Sequence, residues 1–227
     1  MMGRYKMTKP RVLLADSHTF LLQACQKLLE RDYEIPAVFT DSRALVDAAP
    51  GLKPEAIVLE VAMPLLNGLD AGRMLKQRIP NVKLIYLTTH TEPDLAREAI
   101  RMGASAYLLK TSAASELMKA IQEALRDKVH VTPAIARAIQ DSYMQNPRGK
   151  HVSKDLTLRQ REVLQLLAEG RTMKEAACVL GLATRTVAFH KYKIMEHLGL
   201  KSSAELIQFA VSQRLVMPRL EFSPMNG

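Results

Sequence analysis

Short apolar runs alternate with longer amphipathic segments over the first half of the chain. Five runs of three or four apolar residues are too short for helices and fit parallel strands covered on both faces; they are 12–15, 37–39, 56–59, 84–87 and 106–109. The segments that follow them repeat apolar residues about every 3.6 positions, which predicts helices; they are 19–31, 42–48, 69–78, 93–102 and 115–126. Five such units predict an α/β fold with a doubly wound, five-stranded parallel sheet.

No strand is predicted after residue 126, and the rest of the chain is expected to be helical. Thr132-Pro133 opens a helix that runs to about Tyr143, and the polar stretch 146–155 indicates a linker. Three capping-box spacings precede apolar periodic segments, at Thr157 with Gln160, Thr172 with Glu175 and Ser202 with Glu205. Glycines 170, 181 and 199 stand where C-terminal caps belong. About four short helices are therefore expected over 158–216.

Length and charge favour two domains, the second of which binds a polyanion. A chain of 227 residues can bury two separate cores. Residues 148–227 carry 13 Lys and Arg against 7 Asp and Glu, whereas residues 1–147 carry 19 against 16. This basic excess suits a polyanion better than a membrane. Cys25 and Cys178 have no metal-site or redox companions and are expected to be buried in a reducing cytosol. No apolar run approaches the ~18 residues of a membrane span, so a cytoplasmic protein is expected.

Polar side chains stand directly after the predicted strands. Asp16 and Ser17 follow the first strand, Glu60 the third, Thr88 the fourth and Lys110 the fifth. The carboxyl ends of parallel strands meet in one crevice, so these residues should lie together. Carboxylates, a hydroxyl and a lysine in one place could bind a divalent metal with a phosphoryl group. The alternative is an ordinary salt bridge between Lys110 and Asp16.

Three motifs resemble the receiver domain of bacterial two-component response regulators, a flavodoxin-like fold. They are Met-Pro-x-x-Asn-Gly at 63–68, Leu-Thr-Thr-His at 87–90 and Ala-Tyr-Leu-Leu-Lys at 106–110, and the likeness covers about 10–127. In that family an Asp ending the third strand accepts phosphate from a histidine kinase, an acidic pair holds magnesium, and a Thr and a Lys grip the phosphoryl oxygens. The resemblance places Glu60 at the acceptor position, Asp16 and Ser17 at the acidic pair, Thr88 and Lys110 at the gripping pair, and Tyr107 at the aromatic that reorients on activation.

Two of these positions depart from the family pattern. Ser17 replaces an acid, so magnesium binding is expected to be weak or absent and no cofactor is expected. Glu60 replaces the acceptor Asp, and a displacement of about 1 Å can slow a reaction ~100-fold. Normal phosphorylation is therefore not expected. Our hypothesis is that the Glu60 carboxylate reaches Thr88 and Lys110 and holds the domain in an active-like state; the alternative is an inert acid paired with Lys110.

The segment 184–198 has a second, polar face. At ~100° per residue, Val187, Ile194 and Leu198 share the core side. Opposite them lie Arg185, Phe189, Tyr192 and Glu196, flanked by Ala188 and Lys193. Exposed aromatic rings beside basic side chains suit the major groove of DNA, where basic groups contact phosphate or guanine and apolar groups contact thymine methyls. The alternative is that Phe189 and Tyr192 cover a neighbouring domain or a dimer partner.

The C-terminal motifs resemble the LuxR-type helix-turn-helix over about 154–216. They include Leu-Thr-x-Arg-Gln-x-Glu-Val-Leu at 156–164, Thr-Val-x-x-His at 186–190 and Leu-Gly-Leu-Lys-Ser at 198–202. The resemblance implies a recognition helix at 184–198 and a last helix that pairs two subunits on a two-fold DNA site. The expected DNA-binding residues are Thr184, Arg185, Ala188, Phe189, Lys191, Tyr192 and Lys193. Ala183 stands where the family usually has a capping Ser, so Thr184 is expected to cap the helix one residue late.

Together the halves resemble the NarL/FixJ family of response regulators, with a receiver at 10–127, a helix and linker at 128–153 and a DNA-binding domain at 154–217. We therefore expect a transcription regulator, not an enzyme, that binds double-stranded DNA as a homodimer and has no membrane partner. Three other interpretations stay open: a crevice that senses a small molecule or partner protein, an enzyme using His18 or His90, and a protein-protein adaptor. The input, any sensor kinase, the target promoters and the dimer surface, for which 93–102 and 115–126 are candidates, also stay open.

Overall fold

The chain divides into two compact units, Met1–Lys150 and His151–Gly227. The computed structural model describes residues 9–145, 156–213 and 215–216. The predicted linker at 146–155 lies outside the described residues. The predicted domain boundaries at residues 127 and 153 stay predictions.

The first unit contains a wholly parallel sheet with helices on both faces. The strands are β1 Val12–Ala15, β2 Val38–Phe39, β3 Ala56–Leu59, β4 Lys83–Thr88, β5 Ala106–Leu109 and β6 His130–Val131. Their order is β2-β1-β3-β4-β5-β6, and each neighbouring pair is parallel. The predicted doubly wound parallel fold is confirmed.

The predicted strand number is wrong, because the sheet has six strands instead of five. The additional strand, β6, has two residues and pairs Ala106 with His130 and Tyr107 with Val131. It lacks the continuous apolar run by which the other strands were recognised. Its pairing depends on the exposed edge of β5, which no local pattern encodes.

Helices cover the sheet on both faces. They are α1 Thr19–Leu29, α2 Ser42–Leu52, α3 Gly68–Arg78, α4 Pro93–Arg101, α5 Ala114–Leu125 and α6 Pro133–Gln145. Residues along β1 alternate between two cores: Leu13 faces the core under α2, α3 and α4, whereas Val12 and Leu14 face the core under α1 and α5. Because helices cover both faces, the polar residues at the carboxyl ends of the strands lie at one edge of the sheet.

In the described part of the second unit there are four short helices, α7 Leu158–Ala168, α8 Met173–Leu180, α9 Thr184–Leu198 and α10 Ser203–Ser212. Two of the three predicted capping boxes, at Thr157 and Thr172, are complete. The third is half formed, because Ser202 accepts from the Glu205 backbone while the Glu205 carboxylate accepts from Lys201 N. All three predicted glycine stops have positive φ, at 84° for Gly170, 64° for Gly181 and 67° for Gly199.

One expectation about the cysteines is wrong. Cys25 is buried under α1, but Cys178 is exposed on α8. The apolar positions of α8 that reach the core are Ala176, Ala177 and Leu180, and Cys178 lies between them on the outer side. Among the described residues, no helix is long and apolar enough to cross a membrane.

Candidate switch site and nucleic-acid interface

Four side chains that the sequence placed at strand ends meet at one point of the first unit. Asp16 follows β1, Glu60 follows β3, Thr88 ends β4 and Lys110 follows β5. All but Lys110 are buried, and Lys110 lies at the mouth with its ammonium directed inward. Ser17, by contrast, is exposed beside Asp16.

Glu60 is only 2% exposed, and both oxygens of its buried carboxylate have polar partners. Its Oε1 accepts from the Thr88 hydroxyl at 2.5 Å and from the backbone amides of Val61 and Ala62 at 2.6 and 3.1 Å. Its Oε2 lies 2.6 Å from Lys110 Nζ. Burying a carboxylate is costly without such partners, and here both oxygens have them. The two backbone donors could not be foreseen, because backbone amides carry no side-chain signature.

Lys110 joins the two acidic residues of the crevice. Its Nζ lies 2.7 Å from Asp16 Oδ2 as well as 2.6 Å from Glu60 Oε2. The other Asp16 oxygen accepts from His18 N at 2.8 Å and contacts His18 Nδ1 at 2.9 Å. The salt bridge between Lys110 and Asp16 therefore exists, but it is part of a larger network that includes Glu60.

The loop after β3 holds the Glu60 backbone in place. A Cβ atom added at Gly68 would lie 2.0 Å from the Glu60 carbonyl oxygen, so only glycine permits this close approach. Gly68 N donates to Val61 O at 2.7 Å, which closes the loop. Asn67 then caps α3 by accepting from Asp70 N at 3.0 Å. The Asn-Gly pair of the sequence motif thus fixes the turn that directs Glu60 into the crevice.

The loop between β4 and α4 is tied to the same site. His90 N donates to the Thr88 hydroxyl oxygen at 3.2 Å, and the Tyr107 hydroxyl donates to His90 O at 3.1 Å. Tyr107 is completely buried. The predicted aromatic position therefore lies inside the domain and contacts the loop that begins at Thr88.

The two histidines named for the enzyme interpretation have different surroundings. His18 contacts Asp16 at the mouth of the crevice, whereas the His90 side chain is buried with Nδ1 3.3 Å from Glu92. Within the described ranges, no group of three or more His, Cys, Asp or Glu side chains is arranged to hold a metal ion.

The second unit presents the expected polar face on α9. Val187 and Ile194 are fully buried, whereas Phe189 and Tyr192 are 59% and 61% exposed. Leu198, predicted on the core side, is only half-buried. The other predicted contact residues are exposed or half-buried; they are Thr184, Arg185, Ala188, Lys191 and Lys193. The structure thus places two large aromatic rings and several cations on one accessible helix.

Two lysines of α9 are positioned by neighbouring side chains. Lys191 Nζ donates to Ser203 Oγ at 2.8 Å and lies 5.7 Å from the centroid of the Tyr192 ring. Lys193 Nζ lies 2.8 Å from Glu196 Oε2, and this contact lowers the pKa of Glu196. Exposed contacts of this kind are weak, so both ammonium groups can turn towards a polyanion at small cost.

The start of α9 differs from the prediction. Ala183, with φ −73° and ψ 146°, is the N-cap residue, and no side chain caps the helix. Thr184 does not take over the role, because it already belongs to the helix and a capping residue needs an extended backbone. Helix α9 therefore begins without a hydrogen bond from an N-cap side chain.

Comparison with known proteins finds a family match for each of the two units. The response regulator receiver domain matches residues 12–122, and the bacterial regulatory proteins of the luxR family match residues 154–210. Transcriptional regulatory protein UhpA of Escherichia coli is 32% identical over 197 residues, covering 86% of this chain and 94% of that protein.

Solved structures show the same order of domains. RcsB of Salmonella typhimurium is 25% identical, covers 91% of this chain and 99% of its own, and has a TM-score of 0.61. RcsB of Salmonella enterica serovar Typhimurium, bound to promoter rprA in the presence of the phosphomimetic BeF3-, is also 25% identical, covers 89% and 98%, and has a TM-score of 0.57.

A receiver domain followed by a LuxR-type helical domain characterises one family of DNA-binding response regulators. This chain belongs to that family, in its LuxR (NarL) branch. The resemblance inferred from the sequence motifs is thereby confirmed.

Proposed function

We propose that this chain regulates transcription as a homodimer on a two-fold DNA site, and that the Glu60 carboxylate sets its receiver without aspartyl phosphate. The contacts of the Glu60 carboxylate support the proposal that the receiver is set without aspartyl phosphate. Glu60 contacts both Thr88 and Lys110, the residues that the family resemblance assigns to the phosphoryl oxygens. A permanent carboxylate thus occupies the place of a transient phosphoryl group.

The contacts around Glu60 favour a receiver that stays in one conformation over a receiver that switches reversibly. Tyr107 is buried, and its hydroxyl holds the loop that starts at Thr88. The Thr88 hydroxyl donates a hydrogen bond to Glu60 and accepts one from His90 N, so it links the carboxylate to the loop. Glu60, Thr88 and the backbone of the following loop are therefore connected by hydrogen bonds without an added phosphoryl group.

Magnesium is proposed to bind weakly or not at all, because the donor set does not fit it. A hard cation would need the oxygens of Asp16 and Glu60, but the Lys110 ammonium already lies 2.6–2.7 Å from both. Ser17 offers a neutral hydroxyl in place of a second carboxylate. A divalent cation would have to displace Lys110 and would be repelled by it.

DNA recognition is assigned to the exposed face of α9. Phe189 and Tyr192 are placed for apolar contacts with base edges, and Arg185, Lys191 and Lys193 for phosphate or guanine. The RcsB structure bound to a promoter supports this assignment, since that chain aligns with 89% of this one. The last helix, α10, is proposed to pair the subunits.

The decisive experiment compares the native full-length chain with Glu60→Gln and Glu60→Asp. Glutamine keeps the shape and the acceptor for Thr88 but removes the charge that faces Lys110. We expect Glu60→Gln to bind duplex DNA, selected from a random pool by the native chain, ~5-fold or more weakly. Glu30→Gln, a change at an exposed carboxylate on the C-terminal side of α1, is the matched control and should have no effect.

Phosphorylation is tested on the same proteins by incubation with acetyl phosphate and magnesium, followed by intact mass measurement. The native chain should gain no phosphoryl group, whereas Glu60→Asp restores the family acceptor and can gain one. A phosphoryl adduct on native Glu60, or unchanged DNA affinity in Glu60→Gln, would overturn the proposal and leave Glu60 as an inert acid paired with Lys110.

A further inference from the structure

Helices α3 and α4 of the first unit are joined by two ion pairs that share one arginine. Arg73 of α3 pairs through Nη1 with Asp70, one turn earlier in the same helix, and through Nη2 with Glu98 of α4. Asp70 is 1% exposed, and the side chain of Glu98 is 10% exposed. A single guanidinium therefore serves two buried carboxylates that belong to different helices.

The guanidinium is needed to keep these carboxylates together. Two carboxylates repel each other, and burial away from water makes an uncompensated charge costly. The planar guanidinium can donate from separate nitrogens to two acceptors at once, whereas a lysine ammonium is a single point of charge on a flexible stem. Without the Arg73 cation, the Glu98 carboxylate gains free energy by moving towards water, and α4 loses this attachment to α3.

The same network includes the turn that follows β3. Asp70 Oδ2 accepts from Asn67 Nδ2 at 2.8 Å, and Asp70 N donates to Asn67 Oδ1 at 3.0 Å. Asn67 is followed by Gly68, at which the turn approaches the Glu60 carbonyl. The position of α4 is therefore connected through Arg73 to the turn that directs Glu60 into the crevice.

Helix α4 also supports α6, the last helix described in the first unit. Ile135 of α6 is 2% exposed and belongs to the same core as Leu95 and Ala99 of α4. Arg97 Nη2 of α4 donates to Ser142 Oγ of α6 at 2.9 Å. A displacement of α4 would therefore change the surface against which α6 packs.

We propose that Arg73 is a positioning residue of the receiver, whose two ion pairs hold α4 against α3 and thereby set the docking of α6. The inference rests on the proposed function in one respect, because it takes the turn that carries Glu60 as its starting point. The path leads from this turn through Asp70 and Arg73 to Glu98, and then along α4 to α6. It is separate from the contact between Glu60 and Thr88.

Hydrogen exchange of amides 137–142 of α6 in the full chain tests the role of Arg73. Arg73→Gln removes the cation, and we expect the protection of these amides to fall ~10-fold or more. Amides 25–29 of α1, on the other face of the sheet, should keep their native protection. Arg78→Gln is the matched control, because Arg78 also lies in α3 but donates to Val46 O of α2 at 2.8 Å. It should leave the protection of α6 unchanged.

A double-variant cycle tests the connection with Glu60. Glu60→Gln alone should lower the protection of the same α6 amides, and most of that effect should disappear in the Arg73→Gln background. An arginine that only stabilises the fold would give additive effects and would lower protection in α1 as well. Glu98→Gln removes the charge on α4 and leaves Arg73 paired with Asp70, so it provides a second variant if Arg73→Gln folds poorly.

Several results would overturn the role of Arg73. They are native α6 protection in both Arg73→Gln and Glu98→Gln, an equal loss of protection in α1 and α6, and additive or absent effects of Glu60→Gln in the cycle. DNA takes no part in these measurements. Unchanged DNA affinity in Glu60→Gln, together with the expected exchange results, would therefore defeat the proposed function and leave the positioning role of Arg73 intact.

Discussion

The Thr88 hydroxyl donates to the Glu60 carboxylate at 2.5 Å, across two strands that are neighbours in the sheet. This contact connects Glu60 to the loop leading into α4, because His90 N donates to the same Thr88 oxygen. The Tyr107 hydroxyl holds the other end of that short segment. A single carboxylate thus organises the strand end, the loop and the buried aromatic ring.

Removal of the Thr88 hydroxyl should therefore reproduce the effect of neutralising Glu60. We expect Thr88→Val to reduce DNA affinity by ~5-fold or more, as for an element that couples two sites. Thr88→Ser retains the hydroxyl and should bind as the native chain does. Both variants are measured with selected duplex DNA. Native affinity in Thr88→Val would mean that the hydrogen bond has no part in the output.

Lys110 should be the most important residue of the crevice for stability. Lys110→Met leaves the carboxylates of Asp16 and Glu60 buried together without their cation, a change that typically costs about 3–5 kcal/mol. Urea unfolding of the full chain measures the loss in the receiver transition. Lys27→Met, which breaks an exposed pair with Glu30, should cost less than about 0.5 kcal/mol.

A double variant tests the origin of that loss. Adding Glu60→Gln to Lys110→Met removes one of the two unpaired charges and should recover part of the lost stability. If the double variant is less stable than Lys110→Met, the loss arises from packing and not from the uncompensated charges.

The convergence of the polar residues that follow the strands was predictable, because it depends on a property common to parallel sheets. Short apolar runs identify the strands, and every carboxyl end then lies at the same edge. Asp16, Glu60, Thr88 and Lys110 could be placed together from that rule alone. The amides of Val61 and Ala62 could not, because their contact with Glu60 depends on the turn that Gly68 permits.

The features that sequence patterns missed depend on tertiary contacts. β6 forms because the edge of β5 offers unpaired groups, and His130 adds side-chain contacts with α5 that lie far from any apolar run. The Ser202 box is incomplete because the Glu205 carboxylate finds Lys201 N instead. Capping spacings thus predict where helices begin, but neighbouring donors decide which of their bonds form.

Gly72 in α3 should be intolerant of any side chain. A Cβ atom there would lie 2.0 Å from the hydroxyl oxygen of Tyr86, which is buried and donates to Gly68 O. We expect Gly72→Ala to destabilise the receiver by about 1–3 kcal/mol, as overpacking does. Tyr86→Phe removes the clashing oxygen, so the double variant should recover stability relative to Gly72→Ala. Unfolding by urea provides the comparison, and an unaffected single variant would show that the helix shifts to make room.

The uncapped start of α9 offers a way to stabilise the second unit. Ala183 already has the extended backbone of an N-cap residue, so Ala183→Ser should add the missing hydrogen bond and about 1 kcal/mol of stability. Thr157→Ala, which removes an existing cap from α7, should lose a similar amount. Thermal unfolding of the second transition measures both. A serine that adds no stability would show that the amides of α9 are not available to it.

Cationic and aromatic positions on α9 should affect DNA binding in different ways. Lys193 is placed for phosphate, so Lys193→Gln should lower affinity for all sequences and reduce the slope of log K against log salt by about 1. Phe189 is 59% exposed and is placed for base edges, so Phe189→Ala should change which sequence is selected from a random pool. Lys174→Gln, at an exposed cation of α8, is the control for general charge. If Phe189→Ala selects the native sequence and instead alters the oligomeric state, this ring covers a partner subunit and not DNA, and base readout must come from other residues of the helix.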